Sequence, residues 1–157
     1  MAKKKSEPMM KSTSSSGASM KMLSARQLMM IFIVFLIGHV AVLYFANRYF
    51  PDAIVLGTHF FKPMQALVYS MVVFTLITVG AIPVIEHLSA MYKRSLSNLD
   101  WMVLYFLVNA GALWLIGRFA EQLGMGLRSY MVAFVLAAVM DVVQGFLVMA
   151  VTGTGKK

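Results

Sequence analysis

Four polar residues stand inside otherwise apolar stretches: His39, Asn109, Asp141 and Gln144. His39 and Asp141 can take up and release a proton, and acids and histidines within a membrane often mark proton or cation pathways. Asn109 and Gln144 bring amides, which donate and accept hydrogen bonds together. His39, Asn109 and Asp141 each fall near the middle of their own apolar run, so the three can share one depth. Two chemistries fit. One is a proton or cation relay; the other is an interhelical hydrogen-bond set, with Asp141 protonated or bonded to His39, Asn109 or Gln144. Counting in fours from Ala133 gives Ala137, Asp141 and Gly145, with Gln144 joining the same face. Such a small-residue stripe lets another helix approach closely. A carboxylate facing lipid is costly, so this face is expected to point into a bundle.

Other chemistries lack their residues. The chain has no cysteine, which excludes disulfides, thiol catalysis and thiolate metal sites. A single carboxylate with one histidine falls short of the three or four protein ligands of a zinc site. There is no Ser/His/Asp arrangement, no paired carboxylates and no base-stacking surface, so no catalytic, metal or cofactor site is expected. Gly153-Thr154-Gly155-Lys156-Lys157 lacks the upstream glycine and the following Ser or Thr of a phosphate loop. The fifteen methionines are dispersed, as core and lipid-facing filler would be.

The elements that must position these residues are apolar helices. Of 157 residues, 60% are hydrophobic and 13% charged, against about 25% charged in a soluble domain. Four apolar runs, at 28–46, 64–85, 102–117 and 130–151, are expected to cross a bilayer as helices. The fold class is therefore an all-α, polytopic membrane protein with one transmembrane domain over residues 23–151. Residues 1–22, with Lys3, Lys4, Lys5, Lys11, Lys21 and a serine run, read as a disordered basic tail, and 152–157 as a basic end. Ser24 with Gln27 forms a capping-box pattern before the first helix. Pro63 suits the first turn of the second helix, where its missing N–H costs nothing. Gly80 and Pro83 are expected to bend or loosen that helix, and 84–96 to be either a helical extension along the membrane surface or an ordinary polar connector. Ser97, three residues before Asp100, marks the next helix start, with Trp101 and Tyr105 at aromatic-belt depth. Arg118 and Glu121 are expected to pair at the far end of that helix.

The net charge of +8 resides in the tail and loops, which points to anionic lipid and membrane orientation rather than nucleic acid. Leu43-Tyr44-Phe45 leading to Arg48-Tyr49 is echoed seventy positions on by Leu113-Trp114-Leu115 leading to Arg118-Phe119. The echo reads as two helical hairpins in a parallel repeat about an axis along the membrane normal.

Asn109-Ala110-Gly111-Ala112-Leu113-Trp114-Leu115, a short loop and an Ala/Val-rich helix resemble the small four-helix family named after phage holins (superfamily IV). The hairpin from Val42-Leu43-Tyr44-Phe45-Ala46 through Phe50-Pro51 to Lys62-Pro63 is similar to that family's other half. The likeness covers about residues 39–82 and 102–148, while the basic tail, the 84–100 segment and Asp141 depart from the family pattern. The resemblance implies four membrane helices and a holin-like, non-enzymatic role, and it carries over no functional residues. The expected partners are a second copy or another membrane protein, together with anionic lipid. A small ion- or proton-coupled transporter and an accessory subunit of a larger complex are the rival readings.

Charge sets the expected topology in a cell (inner) membrane. Six of the fourteen Lys and Arg residues precede the first span through Arg26, two fall in the 86–100 loop and two at the C-terminus. Arg48, Lys62, Arg118 and Arg128 remain for the opposite side, so both termini should be cytoplasmic. Reporter fusions at each end should both read inside; an external signal from either end overturns this topology.

Overall fold

The computed structural model describes residues 25–91 and 96–152. In chain order it forms α1 (Ala25–Tyr49), β1 (Ile54–Leu56), α2 (Pro63–Met91), α3 (Asn98–Arg118), α4 (Ala120–Leu123), β2 (Met125–Leu127) and α5 (Tyr130–Thr152). Helices α1, α2, α3 and α5 are long and apolar enough to cross a membrane. They form a closed ring in which α1 and α3 each pack against both α2 and α5. The tail, the Ser24 half of the first capping box and residues 153–157 lie outside the described residues.

Local sequence accounts for the helix starts. α2 opens on Pro63, and α3 is capped by Ser97, whose hydroxyl accepts from the Asp100 N–H while Asp100 accepts from the Ser97 N–H. Two expectations need correction. The extension expected over 84–96 is helical as far as Met91, but it continues α2 as one helix through Pro83 rather than leaving the bundle, and residues 92–95 lie outside the described residues. The cause is its inner face, where Val79, Ile82, Ile85 and Ser89 are buried at helical spacing and keep the extra turns in the bundle.

The second adds a small element to the all-α expectation, which holds for a fold that is mostly helical. The two connections at one end of the bundle pair as a two-stranded antiparallel ribbon, with Ile54 opposite Leu127, Val55 opposite Gly126 and Leu56 opposite Met125. The Asn47 amide donates to the Ile54 carbonyl at 2.7 Å, and the Gly57 N–H donates to the Gly124 carbonyl at 2.9 Å. Ile54 and Met125 turn inward and close the core. Strands of three residues are too short to announce themselves by alternation.

The bundle is apolar outside and partly polar inside. Ile37, Val135 and Phe146 are 66%, 66% and 70% exposed, whereas His39 and Asn109 are 0% exposed. Water would reverse this order; hydrocarbon favours it. The apolar core joins Leu43, Leu67, Met71, Leu113, Ile116 and Met140 toward the ribbon end, and a smaller cluster holds Phe35, Val79 and Ile82.

Gly124 caps α4 with φ +83°, and a Cβ there would stand 2.7 Å from the Ala66 Cβ. Gly124→Ala should therefore cost about 1–2 kcal/mol for the left-handed backbone and a further 1–3 kcal/mol for overpacking. Gly111→Ala, where an added Cβ meets nothing within 4 Å, should leave stability unchanged or raise it. Denaturation of both variants in detergent checks this; equal stability of the two would contradict it.

Candidate functional site

Four helices each place one polar side chain at the centre of the bundle. His39 comes from α1, Thr75 from α2, Asn109 from α3 and Gln144 from α5, and all four are buried. His39 Nδ1 lies 2.9 Å from Thr75 Oγ1, and Thr75 Oγ1 donates to the Met71 carbonyl at 2.6 Å. Because the threonine proton is committed to Met71, the hydroxyl accepts from His39, which places the ring proton on Nδ1. The unprotonated Nε2 then accepts from Gln144 Nε2 at 2.8 Å. The second proton of that amide goes to Asn109 Oδ1 at 3.2 Å, and Asn109 Nδ2 donates back to Gln144 Oε1 at 2.9 Å. With a neutral imidazole, each side-chain nitrogen and oxygen of the quartet has at least one partner. Phe74 meets the His39 ring edge-on at 4.7 Å between centroids, and Phe35 flanks it at 5.6 Å.

A polar ladder continues along α2. Thr78 Oγ1 donates to the Thr75 carbonyl at 3.2 Å, and the Tyr105 hydroxyl reaches the Thr78 carbonyl at 3.4 Å. Back-bonding to the preceding turn lets these threonines sit in an apolar helix.

The structure thus brings His39, Asn109 and Gln144 together and leaves Asp141 apart. Asp141 is half-buried on the flank of α5 and bonds none of the quartet. Helical geometry explains the divergence: each step of four residues overshoots a full turn by about 40°, so the stripe has rotated by about 120° at its fourth member. Ala133 and Ala137 are accordingly buried in the core, Asp141 sits at its edge and Gly145 is exposed. Gln144 lies one turn beyond buried Met140 and stays on the inner face.

Thr75 was the member that sequence reasoning missed. Its signal was a hydroxyl in mid-run, one turn from Thr78. Arg118 and Glu121 do not form the expected pair, because α3 ends at Arg118 and the Phe119 backbone (φ −101°, ψ 40°) breaks the helix between them. Among the described residues no three His, Asp or Glu side chains cluster as metal ligands.

No protein-family model, curated protein or solved structure matches the chain. The fold and its centre define a class: a four-helix, multi-pass membrane protein whose helices meet at a buried polar quartet.

A double-mutant cycle on Asn109→Ala and Gln144→Ala should give a coupling of about 0.6 kcal/mol, and up to about 1.7, the range found for hydrogen bonds within membranes. Unfolding titrations in mixed micelles would measure it. Strict additivity of the two substitutions would contradict a bonded pair.

Proposed function

We propose that the protein is a non-enzymatic, holin-like membrane protein that acts by helix–helix association in the bilayer, chiefly with copies of itself. The observation that carries this reading is the position of Asp141. A carboxyl group at the middle of a span costs about 2.5–3.5 kcal/mol when left to lipid. Asp141 is half-exposed, and Gly145, one turn on, has open space where a Cβ would stand. A second helix seated over Gly145 would cover the carboxyl and give it a bonding partner. The quartet supports packing over a relay, since its one titratable member, His39, is matched by neutral groups and no carboxylate joins it.

The setting is an inner membrane, with both termini cytoplasmic and the basic tail against anionic lipid. Two hairpins in a parallel repeat also fit. His39 and Asn109, seventy positions apart, both bond Gln144.

Asp141→Asn keeps a bonding head and should retain assembly. Asp141→Leu should weaken association about tenfold, equivalent to about 1.4 kcal/mol. Oligomer size in detergent, measured beside proton flux in vesicles, separates the readings. Unchanged assembly in Asp141→Leu would defeat the proposal; loss of flux in Asp141→Asn with assembly intact would favour a proton pathway instead.

A further inference from the structure

A cleft of about 180 Å³ opens beside the ribbon, between the end of α3 and the start of α5. Trp114, Arg118, Ser129 and Tyr130 are among the residues that line it. Gly117 brings them together: even an added Cβ would lie 3.2 Å from Leu127, so β2 packs directly on α3 and carries Ser129 toward Arg118. Among the described residues Arg118 has no ion pair and the Ser129 hydroxyl no hydrogen bond. No carboxylate lines the cleft. Tyr130, which lines the cleft, is the first residue of α5, whose opening N–H groups lack carbonyl partners within the helix; that of Val132 bonds the Ser129 carbonyl at 3.2 Å.

We infer that this cleft binds an anionic phosphate group, carried by a lipid headgroup or free in solution. A guanidinium fork matches phosphate oxygens, and a hydroxyl and helix-start N–H groups add donors of the same polarity. The cleft has room for about six water-sized groups, enough for a phosphate and its first substituent. Its depth suits a lipid: both spans end here, and Trp114 and Tyr130, 55% and 64% exposed, occupy the belt where headgroups lie.

The chain has two tryptophans, so Trp101→Phe in the full-length protein leaves Trp114 as the reporter. This protein is placed in phosphatidylcholine vesicles, and quenching by acyl-brominated phosphatidylglycerol is compared with quenching by brominated phosphatidylcholine at equal mole fraction. The anionic lipid should be enriched about threefold at Trp114, the scale of one partly screened ionic contact. Arg118→Gln should bring the two lipids to parity, and Arg118→Lys, which keeps charge but loses the fork, should fall between. Arg128→Gln, adjacent in sequence but outside the cleft, should retain the enrichment. If sodium phosphate removes the enrichment more than sodium chloride at equal ionic strength, the cleft also takes soluble phosphate. If it does not, the lipid headgroup is the ligand. Equal quenching by both lipids in the parent protein, with no response to phosphate, would overturn the inference, as would equal loss in Arg118→Gln and Arg128→Gln.

Discussion

The amide of Gln144 is the contact on which the bundle's register depends. It bonds His39 on α1 and Asn109 on α3, and His39 passes the connection to Thr75 on α2. In hydrocarbon no water can replace a lost partner, and each unsatisfied polar group costs several kcal/mol. Sliding one helix by a turn, about 5.4 Å, would break these bonds together. Each bond adds little to net stability, because the separated helices find other partners. What the quartet supplies is a single depth at which all four helices agree. Lipid is as apolar as leucine, so side-chain packing alone discriminates weakly between such registers.

The ribbon supports the same register from one end. It joins the connection after α1 to the connection after α3, and Ile54 and Met125 seal the core beneath it. Gly124 permits the close approach of that cap to α2, since the Ala66 side chain occupies the place of a Cβ. Central polar bonds and a peripheral backbone ladder are different interactions, and they constrain different degrees of freedom. The quartet fixes depth. The ribbon fixes how the two connections meet.

The helices were legible in the sequence because length and hydropathy are properties of single segments. Pro63 and the Ser97–Asp100 pair marked starts for the same reason, acting within one turn. Partnership between helices was harder to read. His39, Asn109 and Gln144 stood out as polar groups in apolar runs, yet nothing local showed that Gln144 rather than Asp141 faces inward. The two differ by three positions, and only the burial of Met140 and Ala137 settles which flank is the core. The ribbon was illegible because three residues carry no period, and its pairing spans about seventy positions. The Arg118–Glu121 pair failed on one backbone angle at Phe119, which spacing cannot reveal.

A central cluster of neutral groups suits helices that must stay in one register. Asp141 is half-buried at the edge of that cluster. The central claim is that the quartet holds His39 as a neutral ring with its proton on Nδ1. The chain has three histidines, so His59→Gln with His87→Gln leaves His39 as the sole imidazole for ¹⁵N magnetic resonance in vesicles at neutral pH. The account predicts one neutral tautomer, protonated at Nδ1, with Nε2 accepting from the Gln144 amide. A ring protonated at Nε2, a doubly protonated ring, or exchange between both tautomers would contradict it.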